Sequence, residues 1–396
     1  MSGKFAALMA LVVILASISS AAFKVQMVEA SGAIYIRADG SIDPPDAPIA
    51  TADNITYTLT DNIYDSIVVE RDNIIVDGAG YTAQGNGSGI GIDLTKRSNV
   101  TIGNMEIKAF FHGIYLWYSS NNSVSRNNIT ANSMSGIWLF RFSYNNMISR
   151  NNITNNSNGI GLVDSPGNQV YGNSMTNNYL NIQFYRSSGN FFYHNYFVKN
   201  ATQVYTYLSD NVWDDGYPSG GNYWSDYDGI DYHQDLNQDI NGSDGVGDKE
   251  YSIDGNNTDR YPLMGMFSDF NATSEHHVQT ICNSTISGFQ FNGTAISFNV
   301  TGADGTAGFC RICIATALMN GTLEVLVNGT KVQSNVLSCS NTIYTYLYFN
   351  YTHSTKEVVI VPEFPALLFP PLLMIATLLA ATVYKRKRSF WSSDFS

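Results

Sequence analysis

The sequence predicts an all-β protein: a right-handed, single-stranded parallel β-helix, then a small antiparallel β-sandwich, then one C-terminal transmembrane helix. Three observations carry this. The first half repeats with a period of 22 to 23 residues, plainest in NNSVSRNNITANSMSGIWL from Asn121 and NNMISRNNITNNSNGIGL from Asn145. Anchored on the aliphatic residue of a Gly-Ile-x-Leu phrase, the series runs Ile92, Ile114, Ile137, Ile160, Ile182 and Val204. The units are too short for helix pairs and too rich in β-branched residues and Asn for helices, so one repeat reads as one coil of a solenoid. The second observation is a change of pattern beyond residue 275, where alternating apolar and polar residues mark longer strands. The third is a run of about 21 mostly apolar residues from Phe364 to Tyr384, long enough to span a bilayer.

In chain order, Lys4, the apolar run Phe5–Ile18 and small residues after it form a secretory signal within residues 1–30, with cleavage after Ala22 or after Ala30. Residues 31–60 read as an N-terminal cap and entry strand, because a bare solenoid end exposes unpaired strands. Coils fill 61–210. In Gly113-Ile114-Tyr115-Leu116-Trp117, alternation sends Ile114 and Leu116 inward and Tyr115 and Trp117 outward. Ile102, Ile107, Val124, Ile129, Ile148, Ile153, Val170, Met175, Phe192 and Phe197 supply the inward residues of the other short strands. Stacking at about 4.8 Å per coil turns each position into a continuous column. The Asn pairs 121–122, 127–128, 145–146 and 151–152 fall at corners, where Asn tolerates left-handed backbone and stacks into amide ladders. These regular aliphatic columns argue against disordered low-complexity sequence.

Residues 211–265 are dense in Asp, Gly, Tyr and Trp and read as an irregular cap, with Trp213, Tyr217, Tyr223 and Trp224 covering the last coil. From 275 to 360, segments such as Thr294–Val300, Thr322–Val327 and Tyr344–Tyr351 predict the sandwich, and Asn328-Gly329 a hairpin turn. Cys282, Cys310, Cys313 and Cys339 all fall here. In an exported chain they predict one or two disulfides, with three full pairings open. Cys310 and Cys313 form a lone Cys-x-x-Cys without a second one or a His at metal spacing, which argues against zinc. After the span, Lys385-Arg386-Lys387-Arg388 places the tail in the cytoplasm and the bulk of the chain outside.

The net charge of −12 argues against nucleic acid or anionic lipid head groups as partners. Asn-x-Ser/Thr sequons at Asn54, Asn86, Asn99, Asn128, Asn152, Asn271, Asn292, Asn328 and Asn350 suit a glycosylated exported protein.

The phrases Ile34-Tyr35-Ile36-Arg37-Ala38-Asp39-Gly40 and Val76-Asp77-Gly78-Ala79-Gly80, the Gly-Ile-x-Leu coils, and the segments Asp214–Tyr227 and Asp239–Asp248 carry a resemblance. The chain resembles the NosD-type β-helix family, whose repeats are akin to carbohydrate-binding and sugar-hydrolase solenoids of the pectin-lyase type, and in particular archaeal surface members. Pro362-Glu363-Phe364-Pro365, followed by the span and the basic cluster, is similar to archaeal PEF-type sorting signals. That resemblance implies removal of the span by an archaeosortase-type transpeptidase and attachment to lipid; a permanent single-span anchor is the alternative.

Three constellations are candidates for chemistry. In register, outward positions form one file of Tyr115, Trp138, Gly161, Gln183 and Tyr205 and a second of Trp117, Phe140, Val163, Tyr185 and Tyr207. Sugar rings stack on such faces through their C–H groups, so the aromatics of this strip are the expected glycan site. The loop Asn237–Asp248 places Asn237, Asp239, Asn241, Ser243 and Asp248 at calcium-loop positions with Gly242 at the sixth, which predicts structural calcium. The coil acids Asp77, Asp93, Glu106 and Asp164 occupy non-equivalent columns, joined only by His112 and His194, which is poor material for hydrolysis. Copper handling, which the family label implies, needs His, Cys and Met clusters, and the residues do not support it: His276-His277 is the single hint. The expectation is a membrane-anchored surface protein that binds polysaccharide or a cell-surface glycan. The alternatives are a β-helix polysaccharide lyase or glycoside hydrolase, and a structural envelope protein without catalysis.

Overall fold

The computed structural model describes residues 32–198 and 202–363. The signal segment, the membrane span and the basic cluster inferred from sequence lie outside them, as do the last two residues of the Pro362–Pro365 phrase. Among the described residues no helix is long and apolar enough to cross a membrane.

Three parallel sheets form the walls of a β-solenoid. The first carries His112–Trp117, Ser135–Phe140, Asn158–Val163, Leu180–Tyr185 and Thr202–Tyr205, stacked coil on coil. Its register pairs Ile92 with Ile114, Ile114 with Ile137, Ile137 with Ile160, Ile160 with Ile182, and Ile182 with Val204. This is the column read from the sequence, and its isoleucines are fully buried. The second and third sheets stack Ile107, Ile129, Ile153, Met175 and Phe197, and Ile102, Val124, Ile148, Val170 and Phe192, with the same result. One cluster runs the length of the solenoid because each coil buries its apolar face only against its neighbours.

The corners divide the labour of each Asn pair. Asn121 and Asn145 take left-handed backbone, at φ 57° and 55°, while Asn122 and Asn146 turn inward and stack. Asn122 Nδ2 donates to Asn146 Oδ1 at 3.0 Å, Asn146 to Asn168 at 3.0 Å and Asn168 to Asn190 at 3.0 Å. A second ladder runs Asn127, Asn151, Asn173, Asn195 and Asn222. A third runs Asn132, Asn156 and Asn178. Each amide oxygen also accepts a backbone N–H, so the buried corner is fully bonded. Asn128 and Asn152 instead point outward from their strands.

The core turns aromatic at the C-terminal end. Trp213 stacks on Phe192 at 4.7 Å and Trp224 on Phe197 at 4.4 Å, sealing the last coil. Their indole N–H groups donate to Asn257 Oδ1 and Asp259 Oδ2. Tyr223 stacks on Tyr196 at 4.5 Å, flanking this seal. Tyr217 lies away from it, beside Tyr261, with its hydroxyl accepting the Asp235 amide.

Beyond the cap, two five-stranded antiparallel sheets share one hydrophobic cluster. Asn328 and Gly329 turn with φ 48° and 72° between Leu323–Val327 and Thr330–Val332. The strand Ser334–Val336 then pairs in the other sheet. This unit is fixed to the cap by Val246, Leu263 and Ile281, and by Arg311, which donates to the carbonyls of Asp244 and Pro218.

Candidate functional site

On the outer face of the first sheet, the register places Tyr115 beside Trp138 and Trp117 beside Phe140. Two coils on, Gln183 pairs with Tyr205, and Val163 with Tyr185. The files predicted from sequence are therefore neighbours in space. Gly161 and Gln183 interrupt one file and Val163 the other, so the aromatics form two groups. Gly161 is also what allows the Trp138 ring to lie flat across the next coil: a Cβ there would stand 2.1 Å from the indole. In the second group Tyr185 and Tyr207 stack at 4.9 Å with 14° between rings, and Arg186 lies 5.0 Å over Tyr185. Tyr185, Tyr205 and Tyr207 are exposed.

His112 belongs to the first group, and simple alternation missed it. Strict alternation would send it inward with Ile114. Instead Gly113 and Ile114 are both buried in succession, so the residue before the glycine turns outward. The same break at Gly159 leaves Asn158 on the outer face, where its Nδ2 donates to Gln183 at 2.8 Å. The signal for it was the recurring glycine column. His112 stacks on Tyr115 at 5.6 Å and on Trp138 at 5.5 Å. Burial pushes its pKa down to about 4, so the ring is neutral at physiological pH.

Beside these rings opens a cavity of about 490 Å³, lined by Asp93, Thr95, Phe111, His112, Tyr115 and Trp117. Asp93 is held in place by accepting from the Thr95 amide and hydroxyl at 2.8 and 2.6 Å. Two polar atoms here are buried without a partner: His112 Nδ1 and Trp117 Nε1. Both are shut off from solvent, so what this flank offers a ligand is the ring surface itself, with the Asp93 carboxylate beside it in the cavity.

The loop residues named for calcium lie apart from this strip. Asn237, Asp239 and Asn241 are exposed. Ser243 donates to the Asp231 carbonyl at 2.6 Å, and Asp248 accepts the amides of Tyr232 and His233 and lies 2.7 Å from His233 Nδ1. The fully buried acid here is Asp244, and the half-buried Asp231 accepts the amides of Asp244 and Gly245. Of the coil acids, Asp77 binds the Ala79 amide and Asn104, Glu106 binds Lys108, Thr82 and Asn128, and Asp164 pairs with Arg186.

A family model described as periplasmic copper-binding protein (NosD) matches residues 26–229. The donor set here does not fit copper. The histidines are dispersed, each with its own surroundings: His194 on Phe267 and the Ser219 carbonyl, His277 on Asp269, and His353 between Ser284 and Thr306. Among the described residues no three His, Cys, Asp or Glu side chains gather as a set for a metal ion. Loose structural likenesses also exist. Tailspike protein 2 of the Escherichia coli O157:H7 bacteriophage CAB120 is 12% identical with a TM-score of 0.31, over 78% of this chain and 51% of that one. Geobacillus virus E2 ORF18 is 12% identical with a TM-score of 0.20, over 76% and 60%. The phiAB6 tailspike, solved with three-repeated oligosaccharides of Acinetobacter baumannii surface polysaccharide, is 9% identical with a TM-score of 0.19, over 75% and 73%. The chain thus spans about half the length of the first of these. No curated protein matches it. With the solenoid in place and the family model covering more than half of the 396 residues, the chain belongs to the NosD family.

Proposed function

We propose that this is an exported surface protein that binds polysaccharide along the aromatic flank of the solenoid. The observation that carries the reading is the aromatic group His112, Tyr115, Trp117 and Trp138 beside an open cavity. Pyranose rings would stack on the aromatic faces, and the Asp93 carboxylate in the cavity would accept from a sugar hydroxyl. Coil spacing of about 4.8 Å is close to the length of one sugar unit, so an extended glycan can meet successive coils in step and reach Tyr185, Tyr205 and Tyr207. Anchoring through the segment 364–384, retained or removed by a sortase-like enzyme, completes the reading and would hold this flank outside the cell.

The test is retention of the ectodomain on a polysaccharide panel, with chain length of the polysaccharide followed in parallel. Wild type should be retained without shortening the polymer, and Trp117→Ala with Trp138→Ala should abolish retention while the melting midpoint holds. Retention unchanged by that pair removes the strip, and shortening of the polymer points to a glycan-cleaving enzyme instead. We also propose structural calcium at the Asn237–Asp248 loop, on the calcium-loop spacing of Asn237, Asp239, Asn241, Ser243 and Asp248 with Gly242 at the sixth position. Calcium should raise the melting midpoint and chelator lower it; a midpoint indifferent to both discards the ion.

A further inference from the structure

A second slot lies on another flank, where the C-terminal unit docks against the third sheet. On successive coils the corner that follows the third-sheet strand is left-handed and forms a column: Asn104, Arg126, Arg150, Gly172 and His194. Two of these residues act as pillars to the docked strand Met266–Asn271. Arg150 Nη2 pairs with Asp269 Oδ2 at 2.6 Å, and His194 stacks on Phe267 at 3.6 Å and 10°. Between the pillars the column holds Gly172, and nothing fills its place. The pillars are two coils apart, about 10 Å. The floor is Tyr171 and Tyr193, stacked at 5.2 Å with 3° between their planes. The resulting cleft measures about 580 Å³, and Asp215, Ser268 and Gln279 stand at its rim.

We propose that this slot is a second carbohydrate site, taking one or two neutral pyranose units of a short oligosaccharide. The sugar would lie along the side of the Tyr171–Tyr193 stack, with its hydroxyls on Asp215, Asp269, Arg150 and Gln279. The floor is the side of a parallel aromatic pair, and the rim is made of planar carboxylate, guanidinium and carboxamide groups able to engage adjacent hydroxyls. Such a rim excludes a purely apolar ligand, whose entry would strip charged groups of water without replacement. An acidic sugar is disfavoured because the one arginine is already matched by Asp269, which leaves Asp215 in excess. The site stands on its own geometry and does not depend on the outer strip.

The experiment uses the exported chain carrying Trp117→Ala and Trp138→Ala, so that the strip is silent. Cellotriose, maltotriose, chitotriose and trigalacturonate are titrated at millimolar concentration by calorimetry and saturation-transfer NMR. At least one neutral trisaccharide should bind, and more tightly than trigalacturonate. Adding Tyr171→Ala or Tyr193→Ala should weaken it about tenfold. Gly172→Arg should abolish it without unfolding, because arginine already occupies the same left-handed corner at 126 and 150. A melting midpoint within the range of the parent verifies each fold. The site is overturned if no neutral trisaccharide binds, if Gly172→Arg leaves binding intact, or if trigalacturonate binds best. Binding by the wild type that disappears in the strip variant would uphold the strip and refute the slot.

Discussion

At the scale of the residue, amide ladders bind coil to coil at the corners while aliphatic columns fill the interior. Asn151 Oδ1 accepts both the amide and the side-chain N–H of Asn127, and its own Nδ2 donates to Val124 O and Asn173 Oδ1. Asn151→Ala leaves the buried Asn127 amide and the Val124 carbonyl unmatched, so urea denaturation should show a loss of about 3 kcal/mol. A change under about 0.5 kcal/mol would show that solvent enters the corner and replaces the ladder. The sequence reveals the Asn-rich corners, because Asn is unusual at fixed spacing. It does not reveal that Asn121 and Asn145 bend the chain while Asn122 and Asn146 stack, since both uses favour the same side chain. His112 was hidden for a related reason: the rule of alternation fails at a glycine, and only the repeated column at Gly113, Gly136 and Gly159 hints at that.

At the scale of the element, the register of the first sheet was legible from two periods acting together. Period two sorts inside from outside, and period 22 to 23 aligns coil with coil; neither alone would place Trp117 beside Phe140. The docked strands after residue 265 carry only the first of these periods, so their alternation is readable but their partners are not. The structure resolves one such pairing with chemical consequence. Cys282 and Cys310 are direct partners on adjacent antiparallel strands, both buried, as free thiols. The neighbouring Cys310 thiol and the Tyr351 hydroxyl hold Cys282 down to about 7, while burial pushes Cys310 well up. Treatment with a small disulfide oxidant should therefore join Cys282 to Cys310, with the oxidant reduced to thiol. Peptide mapping should find that linkage ahead of any to Cys313 or Cys339; a mixture dominated by other pairs would contradict the register. The slot between Arg150 and His194 was illegible for the same reason as the partners: it is made by docking, and its two sides lie about a hundred residues apart.

At the scale of the whole molecule, the cap joins solenoid and sheets and brings acids under cover. Burial, with Asp244 and Asp248 close by, pushes Asp231 up to about 7 from an ordinary 3.8. A carboxyl whose folded value is raised binds its proton more tightly when folded, so its contribution is whole below about 4 and is lost as pH climbs through about 7. In the absence of divalent ions the melting midpoint should fall between about pH 5 and about pH 8, and Asp231→Asn should flatten that slope. A midpoint that rises over the interval would contradict it. The two tryptophans at the end of the solenoid have a wider consequence. Stacked parallel strands are a template for endless growth, and a bare terminal rung would recruit another copy as amyloid does. Here Trp213 and Trp224 lie broadside across that rung, with their N–H groups already committed to Asn257 and Asp259. At the opposite terminus Ile42–Asp43 and Ile49–Ala50 run antiparallel to their neighbours and break the repeat. A rod blunted at both tips cannot polymerise head to tail, and meets its surroundings sideways, along the flanks where its rings lie open.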